Sequence, residues 1–316
     1  MKKNLCLEKN IADALHRSWN KEQRIGLGLS GGMDSILLAE CLRRLKIPFV
    51  ALHFNHRWRG KESEQDAQWV QRWCKTRGIE IETGQAGQAG ATSENAARQA
   101  RWAFFERAAR KHHLHAIWLA HHADDLVETF LLQLLRGAGP EGLASLKEKR
   151  TIGSLLVIRP WLGFFKEELL QQAKTWKLKW REDASNRNPT YLRNRARHQL
   201  LPFLHQLTGR DVKRLIWRTA ALVAEENAFW ETLMPAHWPV HAPVARLKNK
   251  PTAFQRRWLR GWLLSRGVKD LSFDDIETVR HLLIHTRPAR VNLSQGKFCR
   301  RRAGVLFVEE PAIKSD

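Results

Sequence analysis

Short apolar runs alternate with longer amphipathic segments through the first two thirds of the chain. The runs at 25–29, 48–55, 79–83, 116–120 and 155–158 have the length and side chains typical of buried strands. Between most of them, apolar residues recur at the spacing of a helix. This alternation predicts an α/β fold with a doubly wound, mostly parallel sheet and helices on both faces.

Helical spacing and turn formers define the remaining elements. Helices are predicted at residues 7–19, 33–45, 60–77, 93–110, 124–136, 166–176, 191–207, 211–233, 251–265 and 273–283. Loops are predicted at 137–150 and 181–190, and a hairpin or meander at 290–308. The turn at Thr208–Gly209 predicts a boundary between a first domain, 1–208, and a smaller, mainly helical second domain, 209–316.

A glycine loop, defined here as residues 30–35 (Ser30, Gly31, Gly32, Met33, Asp34 and Ser35), joins the first predicted strand to a helix. Its two glycines permit a tight turn and let backbone N–H groups approach a ligand. The start of the helix adds unpaired N–H groups and a positive dipole end, so the stretch predicts an anion site. No lysine follows the glycines, which excludes the usual γ-phosphate loop. The Asp34 carboxylate can hold a Mg²⁺ ion that bridges phosphates.

The sequence HHADDLVET, residues 121–129, begins where another strand should end. Asp125 and Glu128 are three residues apart and share a helix face, next to His121. Ligands of open α/β sheets bind at the carboxyl ends of the strands, so this cluster should converge with the glycine loop. It can bind Mg²⁺, hold a cationic substrate group or act as a general base. Asp124 can equally serve as a helix cap.

Two arginine-bearing segments offer phosphate contacts. Arg98 and Arg101 are three residues apart in a predicted helix, where they can clamp a phosphate or form ordinary ion pairs. Arg193, Asn194 and Arg197 lie in a second segment, where they can contact RNA or phosphate or belong to a capped basic helix.

The charge of the chain favours a polyanionic partner. The formal net charge is +22, from 54 Lys and Arg against 32 Asp and Glu. Residues 1–150 contribute 24 basic and 17 acidic residues, and the rest contribute 30 and 15. Such an excess favours nucleic acid, although a solvated basic face would give the same count. The four cysteines are far apart and form no CxxC pair, so they suggest neither a zinc ribbon nor a dithiol site. The sequence shows no membrane-spanning or secretory segment, and we therefore expect a cytoplasmic protein.

Four stretches, in this order, resemble the bacterial tRNA(Ile)-lysidine synthases, a family of N-type ATP pyrophosphatases. They are SGGMDS, ENAARQARW, HHADDLVETFLLQLLRGAGPEGL and EDASNRNPTYLRNRARHQLLP, and the resemblance covers roughly residues 20–205. It implies an ATP-pyrophosphatase domain followed by a helical tRNA-binding domain. Some members add a third RNA-gripping domain, for which this chain looks too short. The implied reaction joins free L-lysine to the wobble cytidine of a CAU-anticodon tRNA(Ile), with ATP and Mg²⁺.

The resemblance also implies roles for individual residues. Ser30, Gly31, Gly32, Met33 and Ser35 would bind ATP through its pyrophosphate, and Asp34 would order Mg²⁺. Asp125 and Glu128, assisted by His121, would hold the lysine ammonium or take its proton. Arg101 with Arg98 would neutralise charge at the α-phosphate or cytosine, and Arg193, Asn194 and Arg197 would contact RNA. A homodimer is compatible with this scheme.

Three other functions fit parts of the sequence. A tRNA 2-thiolase of the same superfamily would require paired cysteines, which the chain lacks. A small-molecule ligase such as an NAD or GMP synthetase explains the glycine loop but not the charge. A basic RNA-binding protein with an inactive nucleotide site is the alternative from another class, and the intact Ser30, Asp34 and Ser35 speak against it.

Overall fold

A six-stranded sheet forms the centre of the first part of the chain. The computed structural model describes residues 2–19, 23–58, 60–87, 94–144, 146–182 and 192–310. The strands are β1 (Ile25–Gly28), β2 (Phe49–Asn55), β3 (Ile81–Gln85), β4 (Ala116–Trp118), β5 (Lys149–Ile152) and β6 (Leu155–Ile158). Their order is β3-β2-β1-β4-β6-β5, and every pairing is parallel except β5 with β6. This confirms the predicted mostly parallel sheet.

Helices cover both faces of this sheet, as the alternation of elements predicts. The helices up to residue 232 are α1 (Lys2–Ser18), α2 (Met33–Arg44), α3 (Lys61–Lys75), α4 (Glu94–Lys111), α5 (Ala123–Leu135), α6 (Pro140–Leu143), α7 (Lys166–Thr175), α8 (Leu192–Arg195), α9 (Leu201–Thr208) and α10 (Val212–Thr232). Side chains of α1, α2, α3 and α7 form one core with Ile25 and Leu27 of β1. Phe104 and Phe105 of α4 form another with Val50 and Leu52 of β2.

The prediction of a loop over the whole of 137–150 is wrong. This segment contains the single turn α6 and the first residues of β5. Strand β5 pairs antiparallel with β6 around Gly153, whose φ of 60° suits a tight turn. Lys149, Arg150 and Thr151 are all exposed on this edge strand, so the apolar alternation that reveals a half-buried strand is missing. The predicted loop beyond residue 182 and the predicted helix starts at 93 and 191 lie outside the described residues.

A second compact unit follows. The structure divides into Met1–Asn227 and Ala228–Asp316, so the predicted boundary at 208–209 falls inside the first unit. Trp217 of α10 donates a hydrogen bond to the Leu162 carbonyl at 2.9 Å, which ties the start of that helix to the first unit. No helix in the described ranges is long and apolar enough to cross a bilayer.

The second unit combines helices with a small sheet. Its elements are β7 (Ala242–Pro243), α11 (Val244–Leu247), α12 (Thr252–Ser265), α13 (Phe273–Ile284), β8 (Arg290–Asn292), β9 (Phe298–Arg302) and β10 (Val305–Glu309). The sheet has the order β7-β10-β9-β8 and is antiparallel, so β8 to β10 form the predicted meander. Trp258 and Trp262 of α12 lie in the buried core of this unit.

We expect Gly26→Ala to destabilise the first unit by about 1–3 kcal/mol, because it overpacks the α4 side of the sheet. A Cβ at Gly26 would lie 2.7 Å from Leu114, 2.8 Å from Ile117 and 2.9 Å from Leu52. Urea unfolding followed by tryptophan fluorescence measures the change. Gly87→Ala is the control, since a Cβ there meets nothing within 4 Å. Equal stability of the two variants would contradict the packing argument.

Candidate active site

The glycine loop adopts a turn that only glycine at its centre accommodates without strain. Gly31 has a φ of 89°, and a Cβ there would lie 2.8 Å from a methyl group of Val70. The Gly32 amide donates to Ser30 Oγ at 3.3 Å, and Ser35 Oγ donates to the Gly32 carbonyl at 3.0 Å. The two hydroxyl oxygens are 3.1 Å apart. The loop thus directs serine hydroxyls and the first N–H groups of α2 to one place.

Asp34 carries the carboxylate of this loop. Its Oδ1 atom is buried and has no hydrogen-bond partner among the described residues. Burial raises the pKa of this carboxyl above its usual value, against the opposing effect of His122 and Lys166. A desolvated, unpaired carboxylate oxygen beside an anion-binding turn fits a hard cation such as Mg²⁺, which commonly takes one or two carboxylates together with phosphate oxygens.

His122 joins the loop to helix α5. Its side chain is 3% exposed, and its Nε2 lies 3.8 Å from Asp34 Oδ2 and 3.5 Å from Asp125 Oδ2. Its Nδ1 lies 3.5 Å from Asp124 Oδ2. Burial disfavours the charged imidazole, but the three carboxylates outweigh it and raise the pKa of His122. This contact confirms that the ends of β1 and β4 meet at one site.

Asp124 supports the site rather than facing a ligand. Its Oδ2 accepts the backbone N–H of Lys166, the first residue of α7, at 2.8 Å, and its Oδ1 accepts Lys213 Nζ at 2.7 Å. Burial opposes ionisation, but His122, the Lys166 amide and Lys213 together hold the pKa of Asp124 well below its usual range. Asp124 therefore caps α7, whereas it belongs itself to α5.

Asp125 and Glu128 both bind arginines. Asp125 Oδ1 accepts Arg193 Nη2 at 2.8 Å, while Oδ2 accepts the His122 amide at 2.9 Å. Glu128 accepts Arg193 Nε at 2.7 Å and Arg197 Nε at 2.6 Å, and its side chain is 1% exposed. The residues predicted to hold a substrate cation and two of those predicted to contact RNA are thus bonded to each other.

The remaining predicted residues lie around this centre. Arg101 Nε and His121 Nδ1 are buried without a hydrogen-bond partner in the described part of the chain. Burial, opposed by Asp125, lowers the pKa of His121 to about 4, so the imidazole is neutral at pH 7. Arg98 is exposed, and Met33 and Asn194 are buried.

The sequence predicted that the His53–His56 end of a strand converges on this region, but it gave no site role to His53, Arg159 or Lys213. His53 Nδ1 lies 2.8 Å from the Leu29 carbonyl and braces the end of β1. Arg159, 4% exposed, follows β6 directly and so lies at a strand end, where ligands are expected. Lys213 comes from α10, which was predicted to belong to the second domain, so no local signal marked it.

Comparisons with known proteins identify the family and the fold of the chain. A family model described as a PP-loop domain matches residues 4–204, and one described as a TilS substrate binding domain matches residues 243–307. A solved U34-tRNA thiolase from Methanococcus maripaludis has a TM-score of 0.57 at 16% identity, covering 70% of this chain and 80% of that one, which shows a shared fold.

Several relatives carry the name tRNA(Ile)-lysidine synthase. The Bacillus subtilis protein is 37% identical over 71% of this chain and 50% of its own length. The Geobacter sulfurreducens protein is 30% identical over 94% and 69%, and that of Thermosynechococcus vestitus is 34% identical over 82% and 78%. The chain thus spans about half the length of the Bacillus relative.

We expect Asp124→Asn to cost about 2 kcal/mol at pH 6, because the amide no longer accepts charge-assisted hydrogen bonds from Lys213 and the Lys166 amide. The lowered pKa of Asp124 gives stability that is present above the unfolded pKa of about 3.9 and is lost as the pH falls. The difference between wild type and variant should therefore shrink as urea unfolding is repeated from pH 6 down to pH 2.

Asp211→Asn is the matched control, because Asp211 is 55% exposed and pairs only with the exposed Arg214 in the contacts that the structure gives. We expect a change within about 0.5 kcal/mol. A constant difference across the pH range for Asp124→Asn would contradict the assigned role.

Proposed function

The chain belongs to the PP-loop family of tRNA(Ile)-lysidine synthases, and from this membership we propose that it ligates L-lysine to C2 of the wobble cytidine in the CAU anticodon of tRNA(Ile). The C2 oxygen is adenylated first, and pyrophosphate leaves. The ε-amine of lysine then attacks C2 and expels AMP, which changes decoding from AUG to AUA. The observation that carries the proposal is the contact of His122 with both Asp34 and Asp125.

The glycine loop serves the first step. The backbone amides of Gly31, Gly32 and Met33 and the hydroxyls of Ser30 and Ser35 bind the pyrophosphate part of ATP. Asp34, with its unpaired carboxylate oxygen, would hold Mg²⁺, which would supply positive charge for the pyrophosphate. Arg101 and Arg98 face the α-phosphate or the cytosine, where negative charge develops.

Asp125 and Glu128 serve the second step. A lysine ammonium competes for the carboxylate oxygens that now accept Arg193 and Arg197. The amine must lose a proton before it attacks, since only its neutral form is nucleophilic. His121 is neutral at pH 7, so it can lie beside the ammonium without repelling it and assist the carboxylates that hold it or take its proton.

The partner is the tRNA, which the net charge of +22 attracts. We propose that residues 1–208 catalyse, that residues 209–316 contribute tRNA binding, and that Arg193, Asn194 and Arg197 contact RNA once it is bound. ATP, free lysine and tRNA meet in the cytoplasm, which is the expected location. A homodimer remains a proposal.

Three of the four cysteines argue against a thiolase. Cys41, Cys74 and Cys299 are buried and free, and burial raises the pKa of Cys74 and of Cys299 to about 12. Thiols of this kind are poor nucleophiles and sulfur carriers, because only the thiolate reacts.

We expect Asp125→Asn to slow lysine-dependent AMP release by on the order of a hundredfold or more, because the amide cannot take a proton or hold the ammonium. Release of pyrophosphate from ATP in the presence of tRNA should continue. The two products are measured separately with differently labelled ATP. Asp34→Asn is the comparison and should reduce both releases. Wild-type AMP release by Asp125→Asn would remove Asp125 from the second step.

We expect radiolabelled lysine to enter purified CAU-anticodon tRNA(Ile) and not the CAU-anticodon methionine tRNA. Incorporation is counted in precipitated tRNA with ATP present and absent. Tight binding of both tRNAs without lysine incorporation would instead support an RNA-binding protein with an inactive nucleotide site.

A further inference from the structure

Five side chains interact electrostatically at the ends of the strands, and we call them the cationic cluster: His56, Arg98, Arg101, His121 and Arg159. The three arginines carry its charge, because the two histidines are neutral at pH 7. The five side chains come from the end of β2, from α4, and from the ends of β4 and β6. Arg101 acts electrostatically on both histidines, Arg159 acts on His121, and Arg98 acts on both Arg101 and Arg159. The cluster therefore joins strand ends on both sides of β1.

Much of the hydrogen-bonding capacity of this cluster is unused. Arg159 is 4% exposed, and its Nη1 donates to the Lys147 carbonyl at 2.9 Å. Its Nε, the Nε of Arg101 and the Nδ1 atoms of His56 and His121 are buried without a partner in the described ranges. Buried polar groups are normally hydrogen-bonded, and leaving them unpaired costs free energy.

The charges are equally uncompensated. Neither Arg101 nor Arg159 contacts a carboxylate among the described residues, whereas Arg193 and Arg197 both bond to Glu128 and Arg193 also bonds to Asp125. Burial, reinforced by Arg150 and Arg98, lowers the pKa of Arg159 to about 10. Burial and Arg101 together lower the pKa of His56 to about 4. An anion in this place would satisfy the donors and reverse the repulsion.

We propose that the cationic cluster binds a phosphate group and that Arg159 is one of its ligands. Two guanidinium groups match the geometry of phosphate oxygens, and a partly dehydrated site strengthens each hydrogen bond. The choice of phosphate rests on the proposed function, under which two phosphates reach this edge of the sheet: the α-phosphate of the nucleotide and a phosphodiester of the RNA. The shared chemistry is phosphate, and the experiment separates the two sources.

The first experiment measures thermal unfolding of the full chain in sodium phosphate and in sodium chloride at equal ionic strength. We expect phosphate to raise the Tm of the wild type and to raise that of Arg159→Met much less. Arg107→Met, at an exposed position on α4, is the matched control and should respond like the wild type. Arg159→Lys should recover part of the response.

A purely structural Arg159, bracing the Lys147 carbonyl, gives a different result. In that case Arg159→Met melts below the wild type in chloride and keeps the full response to phosphate, which overturns the proposal. An unchanged wild-type Tm in phosphate overturns it as well. Both readouts are independent of lysine transfer, so an inactive wild type that still shows the Arg159-dependent response would refute only the proposed function.

The second experiment identifies the source of the phosphate. If it is the nucleotide, Arg159→Met weakens AMP binding about tenfold and leaves the salt dependence of tRNA binding unchanged. If it is the RNA backbone, AMP binding is unchanged and the slope of log K against log salt falls by about 0.7–0.9. An Arg159→Met variant with neither change rejects Arg159 as a phosphate ligand.

Discussion

The contact between His122 and three carboxylates is the interaction on which the candidate site depends. Asp34 lies in the glycine loop after β1, and Asp124 and Asp125 open the helix after β4. These three groups would repel one another without a cation between them. A buried imidazole lies between them, its pKa is raised by their negative charge, and it links the loop to the helix. The parallel pairing of β1 with β4 places the two strand ends side by side, and His122 turns this proximity into a defined geometry.

The two sides of the site differ in how their charges are balanced. On one side, Asp124, Asp125 and Glu128 are each paired with a basic group of the chain itself. On the other, Arg101 and Arg159 face no described carboxylate and keep unused donors. The proposed transfer of a lysine amine onto tRNA would require both: carboxylates for the amine and free cations for phosphate. The reactants differ in sign, and so do the two sides.

The sequence predicted what depends on local pattern. The glycine loop, the strand ends and the shared helix face of Asp125 and Glu128 follow from spacing of a few residues, and the mostly parallel sheet follows from the alternation of strands and helices. Partners far apart in sequence could not be predicted this way. Glu128 and Arg193 are 65 residues apart, and Asp124 caps a helix that begins 42 residues later. Strand β5 was missed because its exposed edge carries no apolar alternation.

The same limitation explains why net charge identifies a polyanionic partner but not the residues that meet it. The excess of +22 is a sum over the chain, whereas contact with phosphate requires a cation without a carboxylate of its own. Arg193 and Arg197 stand in the most arginine-rich stretch of the first unit, yet their guanidinium groups are held by Glu128. Arg159, isolated in sequence and almost fully buried, has the more available charge. In a strongly basic protein, the arginines that bind phosphate are therefore best sought among those that lack carboxylate partners, whether or not they lie in basic runs.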